Sequence, residues 1–489
     1  MKTILKNYTR LAACLLLLGL GLTACSDKFF DLRPVDSFNE ASFYQRASDF
    51  DQGLVAAYAS LRATYRNWYA LGDVATDDAY NWRTNNNTNL ININEAQTTA
   101  TNGLVSGFWD ASYSIIALAN VIIDKSAAVS YDETLRKRYV AEARFLRGLM
   151  YFNLVRVFGD VPLVLNQLTT PSQAFEFGRT PSAEVYAQIL ADLQVAETDL
   201  PRAYATNNDV GRATSGSAKA LLGKVLLTQR QYGPAVTKLR EVTSSGTYSL
   251  VADYAGLFNP DLASTPEDIF KVQYARAAPG MGSPFGGDVA PNEPTPGKTF
   301  LAAGGIGRGF FHMTTDLRQA FTPGDRRFAT VDSARGTRLY YVTKKYFDPK
   351  ITVADDAGND WYVLRYADVL LMLAEALNEG GNSADALIPL NQVRARAGLP
   401  ALTATTQADL RQVIERERRL ELYHEGHRWF DLLRTGRLTT VMNAHYQRWA
   451  GDNDQVGQGA SLQEFRLLFP LPKFQVDLNP TKLIQNPGY

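Results

Sequence analysis

The chain has 489 residues, of which 45% are hydrophobic and 11% aromatic, and its 50 Lys and Arg balance 50 Asp and Glu. A chain of this length can bury a large core without disulfides. The balanced charge gives no basic surface of the kind that nucleic-acid-binding proteins need. The two cysteines, Cys14 and Cys25, both lie in the first 25 residues, so the rest of the chain has no thiol for catalysis or for zinc.

The N-terminus has the pattern of a bacterial lipoprotein signal. A basic start precedes an apolar run over residues 11–21. This run is shorter than the about 20 residues that span a bilayer, and it fits the h-region of a secretory signal. Small residues then precede Cys25, whose thiol and freed amine can carry the several acyl chains that stable anchoring needs. We expect residues 1–24 to be a signal peptide, with the lipid anchor at Cys25 and a tether over residues 25–38. The alternative is an ordinary signal peptide with a chance cysteine.

Apolar residues recur at helical spacing through most of the chain after Asn39. Residues 141–158 carry an apolar face wide enough to pack on more than one neighbour. Residues 217–242 and 367–393 place small residues where two antiparallel helices could approach closely, which is typical of tetratricopeptide-like pairs. Thr406 begins a capping box ahead of a further helix. The predicted fold class is mainly α, built from tetratricopeptide-like helical pairs.

Residues 248–361 have a different composition. They are rich in Gly, Pro, Asp and Thr, and their only strand-like runs are short, at residues 269–274 and 339–342. We expect a loop-rich insertion that carries small β pieces. The helical regions at residues 39–247 and 362–489 would together form the base on which the insertion lies, as one domain.

Several segments, in a fixed order, resemble the SusD/RagB family. The segments are AEARFLRGLMYFNLVRVFGDVP (141–162), LRYADVLLMLAEALNE (364–379), LNQVRARAGLP (390–400), ERRLELYHEGHRWFDLLRTGRL (417–438) and FPLPKFQVDLNPTKLIQNPGY (469–489). One departure is Gln475, which stands where the closing signature usually has an acid.

The resemblance implies four tetratricopeptide-like helical pairs and no catalysis. It implies display on the cell surface, at the outer membrane, through the lipid at Cys25. It also implies a partner, a SusC-like TonB-dependent β-barrel that receives captured oligosaccharides. Some members of the family take peptides, so a peptide-binding member is an alternative. No cofactor is expected beyond the covalent lipid, and a structural calcium ion in the insertion is left open.

The best ligand candidate is residues 68–89, which overlap a polar stretch from Gly72 to Gly103 that is predicted to be loop. Aromatic rings stack on the apolar face of a sugar, and Asp, Asn and Arg hydrogen-bond its polar rim. In the family, the loop after the first helix often supplies ligand contacts. The predicted ligand-binding residues are Trp68, Asp78, Tyr80, Trp82, Arg83 and Asn85, with Trp361 at the end of the insertion. The alternative is that Trp68 is a core residue and that Asp77 only forms a turn.

Three other chemistries are considered. The charged run over residues 415–434 has acids and arginines three or four apart, which favours a structural ion-pair network over a catalytic site. His424 and His427 are three apart rather than four, so no zinc site is predicted. The adjacent carboxylates Asp77-Asp78 and Asp355-Asp356 are the kind of groups that a glycosidase uses, so a surface glycoside hydrolase is a further alternative.

Overall fold

The structure, a computed structural model, describes residues 43–82, 86–206, 209–301, 307–336, 339–403, 406–450 and 459–489. Residues 46–489 form one unit, and residues 1–45 form a separate one. Of the N-terminal unit only residues 43–45 are described, where the rings of Phe43 and Tyr44 meet edge to face at 4.9 Å. The predicted signal peptide, the lipid anchor at Cys25 and the tether lie outside the described residues.

Helices dominate the larger unit. The α-helices are α1 (Ala47–Arg66), α2 (Thr88–Asn94), α3 (Gly103–Ser126), α4 (Glu133–Phe158), α5 (Ser182–Asp199), α6 (Ser215–Thr228), α7 (Tyr232–Thr243), α8 (Phe285–Val289), α9 (Thr315–Ala320), α10 (Tyr366–Glu379), α11 (Ser383–Arg396), α12 (Gln407–Leu422), α13 (Arg428–Arg434), α14 (Leu438–Trp449) and α15 (Lys473–Leu478). A π-helical turn covers Ala70–Val74, and short 3₁₀ turns lie at Pro171–Glu176, Gly256–Phe258, Arg326–Thr330 and Glu464–Leu467.

The long helices pack on one another in chain order. Helix α1 packs on α3, α3 on α4, α4 on α5, α5 on α6 and α6 on α7, and α10 then packs on α7, α11 and α12. Small residues allow this close stacking, since a Cβ atom at Gly223 of α6 would lie 2.5 Å from Cδ2 of Leu239 in α7. The arrangement confirms the predicted fold class, a mainly helical scaffold of tetratricopeptide-like pairs.

Helix α4 lies at the centre of the scaffold. The Asp132 side chain caps its start by accepting a hydrogen bond from the Leu135 amide at 2.8 Å, and Gly159, with φ of 74°, follows its last residue. Phe145 and Phe152 are buried, as the width of the predicted apolar face requires. The helix therefore contacts α3 on one side and α5 on the other.

Helix α3 is the one described helix that is long and apolar enough to cross a membrane. Its apolar side chains, including Phe108, Ile115 and Ile116, are buried in the protein core. Because α3 packs between α1 and α4, it is a core helix of the scaffold.

The strands form two small antiparallel sheets. They are β1 (Ala79–Tyr80), β2 (Asp268–Val272), β3 (His312–Met313), β4 (Val331–Arg335), β5 (Leu339–Thr343) and β6 (Trp361–Arg365). One sheet has the order β1-β3-β5-β4, and the other pairs β2 with β6 through an irregular register. The two predicted strand-like runs thus correspond to β2 and β5, and the β2–β6 ribbon packs on α1 and α6.

The stretch from residue 72 to 103 was predicted to be loop, and this prediction is wrong in part. It contains part of a π-helical turn, strand β1 and helix α2. The Asn87 side chain caps α2 by accepting from the Leu90 amide at 3.2 Å, and Asn102 caps α3 in the same way. Asparagine favours helix N-caps as well as loops, so composition alone did not separate the two structures.

The charged C-terminal run is a buried ion-pair network, as predicted. Arg365 of β6 donates to Glu267, Glu421 and Glu425 at 2.8, 2.5 and 2.7 Å. Lys345 donates to Glu425 at 2.7 Å. Because Glu421 and Glu425 lie at and just beyond the end of α12 while Lys345 lies in the insertion, the network fixes the insertion to the C-terminal helices.

Candidate functional site

The backbone that leads from α1 to β1 is held against the loop between α12 and α13. A Cβ atom at Gly72 would lie 2.6 Å from the Cα and carbonyl oxygen of Gly426, so only glycine permits this approach. The Gly426 amide donates to Oδ2 of Asp73 at 2.7 Å. These contacts fix the chain a few residues before β1.

Asp77 and Asp78 are held by two arginines. Nε and Nη2 of Arg428 donate to the two carboxylate oxygens of Asp77 at 2.9 and 3.0 Å, and Nε of Arg419 donates to Oδ1 of Asp78 at 2.5 Å. Burial raises the pKa of Asp77, but Arg419 and Arg428 outweigh it and hold that pKa below its usual range. Burial raises the pKa of Asp78 by more than Arg419 lowers it. Both aspartates therefore attach the start of β1 to α12 and α13.

Four rings meet where β1, β3 and β5 lie side by side, and we call them the aromatic cluster: Tyr80, Trp82, His312 and Tyr340. The Trp82 ring lies edge-on to His312 at 5.8 Å and to Tyr340 at 5.1 Å between centroids. His312 lies 4.7 Å from Tyr340 and 5.5 Å from Tyr80. Strand pairing thus brings three distant chain segments together.

The aromatic cluster is uncharged at neutral pH. Burial lowers the pKa of His312 to about 4, although a backbone hydrogen bond with Gly309 opposes this. Burial raises the pKa of Tyr340 to about 12. The Nε1 atom of Trp82 is buried and has no hydrogen-bond partner among the described residues. Ring faces with a few polar atoms and no charge are suited to a neutral, hydroxyl-rich ligand.

Of the predicted ligand residues, the structure brings Tyr80 and Trp82 together. Both side chains are nearly covered, with 6% and 5% of their surface exposed. Asp78 is fully buried in the arginine contacts described above. Arg83 and Asn85 lie outside the described residues. The ligand roles of all five stay predictions.

Trp68 and Trp361 lie in the hydrophobic core, away from the aromatic cluster. Trp68 stacks on Phe430 at 4.8 Å, and its Nε1 donates to the Gly426 carbonyl at 3.2 Å. Trp361 is fully buried and stacks on Tyr346 at 5.4 Å. Both rings are packed in the core, which is the alternative placement that the sequence left open for Trp68. As ligand residues they remain predictions without structural support.

Sequence reasoning missed His312 and Tyr340. Tyr340 stood within a predicted strand, where it shares a face with Val342, so its burial could have been read from the alternation. The neighbour of that strand could not be read, because pairing His312 with Tyr80 and Met313 with Tyr341 depends on contacts far apart in the chain.

The histidines and the Asp355 carboxylate that the sequence suggested for other chemistry contact protein groups. His424 contacts the Asp78 carbonyl through Nε2 at 3.2 Å, and His427 contacts Lys224 through Nδ1 at 3.0 Å. Asp355 pairs with Arg66 and Arg308, at 3.2 and 3.1 Å. Among the residues that the structure describes, no group of three or more His, Cys, Asp or Glu is placed to hold a metal ion.

The scaffold of helical pairs with a small β region defines a class of helical proteins. Comparison with known proteins leads to the same class. A family model described as "SusD family" matches residues 329–489, and one described as "Starch-binding associating with outer membrane" matches residues 28–227. SusD-like protein P2 of Formosa agariphila is 28% identical, over 97% of this chain and 98% of its own. Starch-binding protein SusD of Bacteroides thetaiotaomicron is 23% identical, over 98% of each chain.

Solved structures agree. A laminarin-binding SusD-like protein superposes with a TM-score of 0.77 at 29% identity, covering 90% of this chain and 99% of its own. Surface glycan-binding protein A from Bacteroides fluxus shares the fold, with a TM-score of 0.78 at 23% identity over 90% and 99% of the two chains. The chain belongs to the SusD/RagB family.

Proposed function

We propose that this protein captures neutral oligosaccharides at the aromatic cluster, breaks no bonds in them, and delivers them to a SusC-like TonB-dependent transporter in the outer membrane. The observation that carries the proposal is the uncharged cluster of four rings, with a buried Trp82 Nε1 donor that has no partner among the described residues. The relatives named for starch and laminarin binding support the choice of glycan over peptide.

The chemistry of capture follows from the cluster. Ring faces pack on the apolar C–H face of a sugar, and the polar atoms of Trp82, His312 and Tyr340 exchange hydrogen bonds with its hydroxyls. The half-buried Phe300 packs against the hydrophobic cluster that Trp82 and Tyr340 form with Ala334 and Val342. Because those rings are nearly covered, ligand entry in this proposal displaces Phe300. The adjacent carboxylates, Asp77 and Asp78, are bound to Arg428 and Arg419, which leaves them no catalytic role in this proposal.

Calorimetric titration of the purified mature protein with a panel of neutral oligosaccharides, and with peptides for comparison, tests this site. We expect Trp82→Ala to weaken the affinity for the bound glycan by at least about tenfold, the effect of truncating a central aromatic contact. Trp449→Ala, the same change at a half-buried ring on α14, serves as the control and should leave the affinity unchanged.

Tyr340→Phe keeps the ring and removes one hydroxyl, so it reports on hydrogen bonding without a cavity. Unfolding curves establish that each variant is folded. A folded Trp82→Ala protein that retains full affinity would show that the ligand binds elsewhere. Hydrolysis of a bound glycan that Asp78→Asn abolishes would overturn the absence of catalysis.

We propose that Cys25 carries the lipid that holds the protein at the outer membrane, with the ligand site on the outer surface of the cell. The small residues before Cys25 and the outer-membrane association in the family description support this proposal. In cells, Cys25→Ser should move the protein from the membrane fraction to the soluble fraction. The wild-type protein should copurify with a TonB-dependent barrel from solubilised membranes. Continued membrane association of Cys25→Ser would contradict the lipid anchor. Purification of the wild-type protein without any barrel would contradict the transporter partner.

A further inference from the structure

A cavity of about 200 Å³ lies mainly among the C-terminal helices, apart from the aromatic cluster. Its walls come from α6, α10, α12 and α13, and we call it the arginine cavity. Seven arginines and five acidic residues line it. His427 in its wall stays neutral at pH 7, because burial and the neighbouring Lys224 lower its pKa to about 3. Positive charge therefore exceeds negative charge on the walls.

The buried arginines of the cavity are bound to carboxylates and hold its walls together. Arg418 donates to Asp368 at 2.9 Å and to Asp431 at 3.0 Å. Arg434 donates to Asp431 at 2.8 Å and pairs with Glu375. These contacts join α12 and α13 to α10 and account for the structural part of the charged run.

Two exposed arginines of the cavity retain free donors. Arg437 is 46% exposed and forms an ion pair with Glu415 at 3.1 Å. Glu415 also pairs with Arg428, at 3.5 Å. Arg230 is exposed and donates to the backbone carbonyl of Arg434 at 3.1 Å. No acidic side chain within the described part of the chain forms an ion pair with Arg230. A guanidinium has five N–H donors, so both residues can bind an anion.

Asp78 gives the cavity an unpaired acceptor. It is fully buried and lines the cavity, and its Oδ1 accepts from Arg419 while its Oδ2 has no hydrogen-bond partner among the described residues. A buried oxygen without a protein partner can accept a hydrogen bond from water or from a bound group. Tyr232, Leu227 and Ile414 add apolar surface to the walls. Guanidinium donors, a hydroxyl acceptor and an apolar wall together match a sugar ring that bears an acidic group.

We propose that the arginine cavity is a second ligand site, which binds the carboxylate or sulfate group of an acidic sugar residue. Arg230 and Arg437 bind the anionic group through their fork of N–H donors, and Asp78 accepts a hydrogen bond from a hydroxyl of the ring. The inference does not rest on the proposed function, because none of the four rings of the aromatic cluster lines the cavity.

The test is an NMR titration of the mature protein with D-glucuronate, glucose 6-sulfate, D-glucose and inorganic sulfate at low salt. We expect at least one acidic sugar to bind at least about tenfold more tightly than glucose, and to bind more weakly at high salt because the arginines are partly exposed. Binding of only one acidic sugar would identify the carboxylate or the sulfate as the preferred group. The double variant Arg230→Gln/Arg437→Gln should lose this preference.

Both substitutions are at exposed positions, where substitutions change folding stability little. Arg240→Gln removes an exposed arginine of α7 outside the cavity and should leave binding unchanged. Trp82→Ala lies in the aromatic cluster, so it should weaken only the binding of neutral sugars and leave the binding of the acidic sugar at the cavity as it is, which separates the two sites. Equal affinity for glucose and both acidic sugars, or full binding by the double variant, would overturn the proposal. Inorganic sulfate that binds as tightly as glucose 6-sulfate would reduce the cavity to a simple anion site.

Discussion

The aromatic cluster and the arginine cavity are joined by the three residues 78–80 and yet have opposite chemistry. Asp78 lines the cavity, and the next two residues form β1, which carries Tyr80 into the cluster. The cluster consists of uncharged rings on paired strands, whereas the cavity consists of guanidiniums and carboxylates on packed helices. If both proposed sites bind ligands, they should sort them by charge, because an acid is costly to bury among apolar rings and is stabilised beside arginines.

The two regions also differ in what holds them together. The rings of the cluster contact one another without charge, so truncating one loses packing contacts and leaves a cavity but no unpaired charge. The charges of the cavity depend on one another, because removing one member of a buried pair leaves its partner without compensation. The following predictions test this difference.

The largest expected effect is that of Asp77→Asn. Asp77 accepts from both Arg428 and Arg419, so the substitution leaves two largely buried guanidiniums without their shared counter-charge. We expect a loss of about 3 kcal/mol in folding free energy. With an unfolding entropy of about 2 cal/mol/K per residue, this lowers the melting temperature by roughly 3 °C. Calorimetric unfolding at pH 7 measures it.

Asp355→Asn is the matched control. Asp355 also pairs with two arginines, Arg66 and Arg308, but its side chain is 55% exposed. Exposed pairs contribute about 0–1 kcal/mol, so the melting temperature should fall by about 1 °C or less. Equal shifts for Asp77→Asn and Asp355→Asn would show that burial does not decide the strength of these pairs.

The sequence predicts the charged region better than the neutral one, for a physical reason. Acids and arginines three or four apart on a helix can pair through local geometry, which predicted an ion-pair network, and Asp431 and Arg434 form such a pair. The network is confirmed, but its pairs Arg365–Glu421 and Arg418–Asp368 join distant segments. Helical period and caps are equally local, and Thr406 caps α12 as predicted. The departure at Gln475 is explained by a long-range contact, since its Nε2 donates to Asp110 at 3.1 Å and an acid there would repel that carboxylate.

The aromatic cluster depends on pairing between distant segments, which a single sequence does not specify. The sequence pattern around an aromatic residue is the same whether the residue lines a ligand site or fills a core. Trp361 and Trp82 were predicted on similar grounds, but Trp361 stacks on Tyr346 in the core. The register of β1, β3 and β5 decides which rings meet, and the β1–β3 pairing joins residues more than 200 positions apart.

The smallest expected effect concerns His312 and sharpens the claim that the cluster is neutral. Burial lowers its pKa to about 4, against about 6.5 in an unfolded chain. The folded state therefore binds fewer protons than the unfolded state between these values. Its contribution to stability is complete above about pH 6.5 and is lost as the pH falls towards 4.

Imidazole ¹⁵N shifts of histidine-labelled protein, assigned with His312→Gln, should report a neutral ring from pH 8 down to 5. Over the same range the affinity for a neutral glycan should not change through His312. A signal from His312 that titrates near pH 6.5 would mean that the ring is solvated and that the cluster carries charge in acid.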